Sequence, residues 1–235
     1  MTTRSTQPTA LITGGSSGLG LALARQLDSD GWSVVTDARD ESRLRSALQG
    51  TAIHGIPGDV TDAEHRSALI EAVTRLGGLD LLVLNASTLG PLPMRPLRQY
   101  DPTEIGEVLR TNGGAQAALM IALADELLRR DGVVIGISSD AAVQHYETWG
   151  PYGASKAALD HLVLTFGEET GLATYAVDPG DMRTPMQQDA FPGEDISDRP
   201  LPESVVPRLL ALVEQRPERG RYLAADVTVP EVASA

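Results

Sequence analysis

The sequence TALITGGSSGLG, residues 9–20, predicts a short buried strand, a glycine-rich turn and the start of a helix. The helix is indicated by Leu19, Leu23 and Leu27 at helical spacing, with Gly31 just past its end. Glycines let the backbone approach a ligand closely, and a helix start presents free N–H groups and a positive dipole end. Together these features predict a pyrophosphate site with the spacing Gly-x-x-x-Gly-x-Gly, and a plain flexible turn is the alternative.

Apolar runs and helical patterns alternate along the rest of the chain. Strands are predicted at 33–37, 52–56, 80–84, 132–137, 172–177 and 221–223, and helices at 41–48, 62–76, 103–130, 150–166 and 203–215. The alternation predicts an α/β fold of the Rossmann type, a doubly wound parallel sheet of about seven strands with helices on both faces. A ligand is expected at the carboxyl ends of the strands.

Composition indicates one globular domain. The chain has 235 residues, of which 42% are hydrophobic and 22% charged. A single domain over 9–235 is therefore expected after a flexible N-terminus of residues 1–8. Residues 182–202 are rich in proline, glycine and acids, and this predicts a loop or a substrate lid.

Charge and residue usage exclude several kinds of partner. A net charge of −13 disfavours nucleic acid and anionic membranes, because both reward clustered lysine and arginine. No apolar run is long enough for a membrane span and the N-terminus lacks an apolar signal region, so a soluble, cytoplasmic protein is expected. The absence of cysteine excludes disulfides and thiolate ligands, and the four scattered histidines give little support for a metal site.

The segment GPYGASKAALD, residues 150–160, places Tyr152 and Lys156 four residues apart on a predicted helix. Their side chains should leave the same face, one above the other. A phenol titrates near pH 10, and a neighbouring ammonium favours its anion. Lowering the pKa of the phenol from about 10 to neutrality requires about 4 kcal/mol of additional stabilisation of its anion. The pair therefore predicts proton-transfer chemistry, whereas two exposed side chains on a solvated face are the alternative.

Two residues after the second strand compete to read the ribose of a dinucleotide. Asp37 could accept hydrogen bonds from a ribose 2′-hydroxyl and favour NAD. Arg39 could pair with a 2′-phosphate and favour NADP.

Further segments accompany the tyrosine and lysine in a fixed order. They are TGGSSGLG at 13–20, Asp59-Val60, Asn85-Ala86, Asn112, Ser139, and Asp178-Pro179-Gly180 followed by Thr184. Asn112 and Ser139 lie 40 and 13 residues before Tyr152. With these segments the chain resembles the short-chain dehydrogenase/reductase family from Thr9 to about Leu223.

This resemblance implies four catalytic residues. Tyr152 is expected to act as the general acid that protonates a substrate carbonyl during hydride transfer. Lys156 is expected to lower the pKa of that phenol and to bind the nicotinamide ribose. Ser139 would hold the carbonyl oxygen, and Asn112, which with Gly113 and Gly114 interrupts the predicted helix 103–130, would position a water next to Lys156.

The resemblance also implies a set of cofactor-binding residues. Besides Tyr152 and Lys156 these are Thr13, Gly14, Ser16, Ser17, Gly18, Leu19, Gly20, Arg39, Asp59, Val60, Asn85, Ala86, Pro179, Gly180, Met182 and Thr184. Arg39 stands at the family's 2′-phosphate arginine and Ala38 at its NAD-selecting aspartate, which favours NADP(H) over NAD(H). Against this, Ser16 and Ser17 are not basic. Leu84 and Ser87 replace the outer residues of the family's Asn-Asn-Ala-Gly segment, a change expected to affect sheet packing and the adenosine wall.

The substrate pocket is expected to include His145, Tyr146, Trp149 and Met186, which would suit a large apolar or aromatic carbonyl. The function predicted from the resemblance is NADP(H)-dependent reduction of a ketone or an aldehyde to an alcohol. An NAD-dependent alcohol dehydrogenase and a non-catalytic dinucleotide sensor are the alternatives. By the same resemblance a homodimer or a homotetramer is expected.

Overall fold

A computed structural model describes residues 7–230 of the chain. Within that range seven strands form one parallel sheet in the order β3-β2-β1-β4-β5-β6-β7. The strands are β1 (Thr9–Ile12), β2 (Ser33–Ala38), β3 (His54–Pro57), β4 (Leu81–Leu84), β5 (Val133–Ile137), β6 (Ala173–Asp178) and β7 (Gly220–Leu223). This order reverses between β1 and β4, so the predicted doubly wound sheet is confirmed.

The helices connect the strands and cover both faces of the sheet. They are α1 (Gly18–Ser29), α2 (Glu41–Ala47), α3 (Ala63–Arg75), α4 (Pro102–Leu109), α5 (Ala115–Ala122), α6 (Ala124–Arg130), α7 (Gly150–Thr170), α8 (Pro185–Ala190) and α9 (Val206–Gln215). Asp40, Asp62 and Asp101 accept hydrogen bonds from the first free N–H groups of α2, α3 and α4. None of the helices in the described range is long and apolar enough to cross a membrane.

The core consists of two apolar layers, one on each face of the sheet. Successive side chains of a strand point to opposite faces, and β1 shows this clearly. Ala10 and Ile12 pack with residues of α1 and α9, whereas Leu11 packs with residues of α3, α5 and α7. Every residue of β1 and β4 is buried, as expected for central parallel strands.

The predicted interruption of the long helical segment is confirmed as a π-helical turn, Arg110–Gly114, between α4 and α5. Asn112 in this turn is fully buried. Its amide bonds both the N–H and the C=O of Thr88, at 2.8 and 2.9 Å, and donates to the Ser155 hydroxyl at 2.8 Å. The unusual turn therefore fixes the loop after β4 against α7.

The segment 182–202 differs from the predicted loop, because it contains the short helix α8. Thr184 caps this helix by accepting a hydrogen bond from the N–H of Gln187 at 3.1 Å. Pro185 occupies the first helical position, where its fixed φ is favourable and its missing N–H costs nothing.

Candidate active site

A cleft of about 1000 Å³ lies at the carboxyl ends of the strands. It is bounded by the segments that follow β1 to β6. The predicted cofactor residues in its lining are Gly14, Ser16, Ser17, Gly18, Leu19, Arg39, Asp59, Val60, Asn85, Ala86, Tyr152, Lys156, Pro179, Gly180, Met182 and Thr184. The topology thus brings together residues that are up to 170 positions apart in sequence (184 minus 14).

Thr13 and Gly20 were also predicted to bind the cofactor, but the structure places both behind the glycine turn. The buried Thr13 hydroxyl accepts hydrogen bonds from the N–H groups of Asn85 and Ala86, both at 2.9 Å. A Cβ on Gly20 would lie 2.5 Å from the backbone oxygen of Gly14. These two residues therefore join the turn to the end of β4 and do not line the cleft.

The glycine turn has the geometry of an anion-binding site. Gly14 and Gly18 have φ values of +76° and +56°, which side chains rarely adopt. A Cβ on Gly14 would lie 3.0 Å from the Cα of Ala86. Ser17, the N-cap of α1, makes no side-chain cap hydrogen bond, so the first N–H groups of the helix are left for a ligand. The turn fits the pyrophosphate of a dinucleotide.

Asp37 lies in the cleft lining, but both of its carboxylate oxygens already have partners within the protein. It is 2% exposed, and Oδ1 accepts a hydrogen bond from the N–H of Gly14 at 2.7 Å. Oδ2 lies 2.9 Å from Nε2 of His65, which is also buried. Both oxygens are thus engaged in fixing the glycine turn, whereas the exposed Arg39 side chain borders the cleft. His65 could not be identified from the sequence, because a single histidine on a predicted helix carries no indication of its partner.

Tyr152 and Lys156 lie on the first turns of α7 and are 8% and 2% exposed. The Lys156 ammonium donates a hydrogen bond to the carbonyl of Ile137 at 2.8 Å. Its Nζ lies 5.6 Å from the centroid of the Tyr152 ring. Both side chains line the cleft together with Ser139, whereas Asn112 lies beneath α7 through its contact with Ser155.

The electrostatics of this pair differ from the sequence prediction, which had Lys156 lowering the pKa of Tyr152. Burial raises the pKa of Tyr152 well above its usual value, although the hydroxyl of Ser139 opposes the shift. Burial lowers the pKa of Lys156 to about 8. The phenol is removed from water, and the ammonium donates its hydrogen bond to Ile137. Without a bound cofactor, Tyr152 therefore stays protonated.

Ser87 is a residue of the site that sequence reasoning assigned to the adenosine wall. The structure places it in the lining of the cleft, where its hydroxyl also lowers the pKa of Tyr152. Two serine hydroxyls, those of Ser87 and Ser139, therefore approach the phenol. Leu84 is fully buried in the sheet core, as expected.

An apolar wall surrounds the phenol. Leu89, Ala141 and Tyr152 form a buried cluster, against which Met94, Trp149, Met186 and Ala190 pack. The Trp149 and Tyr152 rings make an edge contact with their centroids 5.5 Å apart. The Phe191 ring also packs near Trp149, with the two ring centroids 6.0 Å apart. The predicted pocket residues Trp149 and Met186 line the cleft.

His145 and Tyr146 are not in the cleft lining, which corrects the predicted pocket. Both are exposed, because the chain turns outward after the short 3-10 turn Asp140–Ala142. The Tyr146 hydroxyl donates to the carboxylate of Asp140 at 2.7 Å. No cluster of three potential metal-ligating side chains occurs in the described part of the chain.

The parallel sheet and its glycine-lined cleft define a dinucleotide-binding protein of the Rossmann type. The chain matches the family model for short chain dehydrogenases over residues 8–195. It is 34% identical over 185 residues to serine 3-dehydrogenase of Rhizobium radiobacter, with 75% of this chain and 72% of that protein covered. It is 32% identical over 191 residues to a protein of Streptomyces violaceoruber named as ketoacyl reductase 1 of the granaticin polyketide synthase, with 77% and 70% covered.

A solved structure from Escherichia coli CFT073, classed as a short chain dehydrogenase and complexed with NADPH, superposes with a TM-score of 0.85. It is 28% identical, and the match covers 92% of this chain and 96% of that one. The chain belongs to the short chain dehydrogenase family and is an NAD(P)-dependent oxidoreductase.

Proposed function

We propose that this protein reduces the carbonyl group of an apolar ketone or aldehyde, with NADPH as the reductant. The observation that carries the proposal is a buried phenol whose raised pKa keeps it protonated, at one end of a cleft that fits a dinucleotide. A group that must give up a proton to a developing alkoxide has to hold that proton beforehand.

Each side chain of the site has a role in this reaction. When bound, NADPH supplies a hydride to the carbonyl carbon. Tyr152 donates its proton to the carbonyl oxygen, so that the two transfers together give the alcohol. The Ser139 hydroxyl orients that oxygen, and Lys156 supplies positive charge next to the phenolate that remains. Asn112 holds the loop that follows β4 against α7, through its hydrogen bonds to Thr88 and Ser155.

The test is NADPH oxidation by the purified protein, followed by absorbance against a panel of ketones and aldehydes of graded size. Turnover with NADPH and bulky apolar carbonyls would support the proposal. Faster turnover of alcohols with NAD would favour the oxidative alternative. Binding of NADPH without turnover of any panel member would favour a dinucleotide sensor.

The preference for NADP rests on the end of β2. Asp37 is already engaged, Ala38 has no carboxylate, and the side chains of Arg39 and Arg43 border the cleft. A guanidinium can pair with a 2′-phosphate through two charge-assisted hydrogen bonds. The E. coli structure that binds NADPH is consistent with this choice.

Arg39→Ala should weaken NADPH binding about 10- to 100-fold, because a hydrogen bond to a charged group contributes about 1.5–3 kcal/mol. NADH lacks the 2′-phosphate, so its Kd should change less than about threefold. Calorimetric titration of both cofactors measures the two effects. Arg45→Ala is the matched control, because Arg45 pairs with Glu41 on the exposed side of α2. An equal loss for NADH and NADPH would contradict a 2′-phosphate contact.

Trp149→Ala should lower kcat/KM about tenfold or more for bulky aromatic ketones and less than threefold for small ones, since it removes an apolar wall from the substrate end. Steady-state kinetics across the size series measures the difference. Trp149→Phe should retain most of the activity, because the edge contact with Tyr152 can persist. A uniform loss across all substrates would show that Trp149 supports Tyr152 and does not contact substrate.

A further inference from the structure

Three functional groups follow one another on the same face of α7. Tyr152, Lys156 and Asp160 are spaced four residues apart, so their side chains lie one above the next along the helix. Asp160 is 8% exposed and stands on the side of Lys156 that is opposite to the phenol. A buried carboxylate is rare unless it is held by hydrogen bonds or by an opposite charge.

Two side chains hold this carboxylate, Ser138 from the residue that follows β5 and Arg221 from β7. Oδ2 of Asp160 accepts a hydrogen bond from the Ser138 hydroxyl at 2.7 Å and another from Nε of Arg221 at 3.2 Å. Its second oxygen, Oδ1, has no hydrogen-bond partner among the described residues. Burial raises the pKa of Asp160, and Ser138 and Arg221 oppose that shift by stabilising the anion.

Arg221 of β7 connects this carboxylate to the ends of β5 and β6. Its Nη2 donates to the backbone carbonyl of Ser139 at 2.9 Å and lies 3.3 Å from Oδ2 of Asp178. The other oxygen of Asp178 accepts a hydrogen bond from the N–H of Gly180 at 3.0 Å. One guanidinium thus links α7, the Ser139 segment and the turn after β6.

The charge state of Lys156 depends on the charged groups around it. Asp160 is the charged side chain that acts on Lys156 directly. The neighbouring groups are Tyr152, on which Asp140 after β5 and Asp178 at the end of β6 act, and Arg221 of β7, which acts on Asp160. Burial works against the ammonium of Lys156, and the charge of Asp160 is what raises its pKa in return. No ion pair within 4 Å joins the two in the described structure, so Asp160 acts through its field.

We propose that Asp160, held by Ser138 and Arg221, is a positioning residue that keeps Lys156 in its charged form next to Tyr152. The proposal rests on the role of Lys156 in the proposed function. It predicts that the loss of the Asp160 charge changes the titration of Lys156 before any substrate or cofactor is present.

The sequence offers a direct readout, because Lys156 is the sole lysine among its 235 residues. Protein labelled with ¹⁵N at the lysine side chain gives a single ζ-nitrogen signal, whose shift against pH reports this ammonium without cofactor. In the wild type the midpoint is expected near pH 8. A lysine is charged below its titration midpoint and neutral above it. Because a nearby anion stabilises the charged form, removing that anion lowers the midpoint further.

Asp160→Asn, nearly isosteric, should lower the midpoint by about one pH unit. Ser138→Ala should lower the midpoint of Lys156 by a smaller amount. If Asp160→Asn does not fold, this milder variant provides the test. Glu168→Gln is the matched control, because Glu168 is an exposed carboxylate on the same helix, paired with Arg219, and should leave the midpoint unchanged. An unchanged midpoint in a folded Asp160→Asn protein, or in Ser138→Ala when the former is unfolded, overturns the proposal.

Kinetics separates this inference from the proposed function. In the wild type, carbonyl reduction should fall as pH rises through the midpoint of Lys156, and in Asp160→Asn the fall should begin at lower pH. At pH 6, where the lysine is charged in both proteins, kcat should agree within about threefold. A shifted lysine signal with no carbonyl turnover in either protein would retain the role of Asp160 and reject the proposed reaction.

Discussion

Tyr152→Phe is expected to lower kcat for carbonyl reduction by about 10³- to 10⁴-fold, because the substitution removes the proton donor and little else. The phenyl ring fills the same space and can keep its edge contact with Trp149 at the substrate end. The Kd for NADPH should therefore stay within about threefold of the wild type. Single-turnover kinetics gives the first quantity, and quenching of NADPH fluorescence on titration gives the second.

Tyr222→Phe is the matched control for this substitution. The hydroxyl of Tyr222 donates to the backbone carbonyl of Glu218 at 2.5 Å, and the residue lies on β7 outside the cleft lining. Its kcat should equal that of the wild type. Comparable turnover by Tyr152→Phe and Tyr222→Phe would remove the phenol from the mechanism.

The second large effect is expected for Gly20→Ala, which should abolish NADPH binding and lower the thermal midpoint of unfolding. A Cβ at this position would lie 2.5 Å from the backbone oxygen of Gly14 and 2.6 Å from Nδ2 of Asn85. A backbone oxygen can yield only when the whole turn moves, and overpacking of this kind costs about 1–3 kcal/mol or more. Calorimetry of NADPH binding and differential scanning calorimetry measure the two losses.

Gly106→Ala is the same substitution at another glycine and is expected to have the opposite effect on stability. Gly106 lies in the interior of α4, and an added Cβ would meet nothing within 4 Å. Alanine is favoured over glycine in a helix by about 0.5–1 kcal/mol, so this variant should be slightly more stable and bind NADPH normally. A normal affinity in Gly20→Ala would show that the turn tolerates displacement and that its close packing does not determine cofactor binding.

Much of this molecule could be predicted because its signals are local. The glycine turn, the alternation of strands and helices, and the four-residue spacing of Tyr152 and Lys156 all lie within short stretches of chain. Parallel topology then brings the ends of the strands to one edge, so residues such as Asn85, Ser139 and Gly180 meet without further information.

The parts that could not be predicted depend on contacts between distant segments. From the sequence, Asp37 is a candidate ribose ligand. The structure adds that its carboxylate contacts His65, which lies 28 residues further along the chain. The pKa of Tyr152 depends on how deeply α7 is buried, and helical spacing carries no measure of burial. His145 and Tyr146 were expected in the pocket because of their residue type and because they lie in the segment between Ser139 and Tyr152. The direction of that loop after β5 leaves both side chains exposed.

The burial of Lys156 has a consequence for proteolysis. An endoproteinase that cuts only after lysine has a single target in this chain, the bond between Lys156 and Ala157, within two turns of the start of a 21-residue helix. Proteases require an extended backbone, so this bond is cut only when α7 opens, and the products are fragments 1–156 and 157–235. The rate of that one cut reports the population of molecules in which α7 is open, and a ligand that binds only the folded cleft slows the cut by a factor of about one plus the ratio of the free ligand concentration to its Kd.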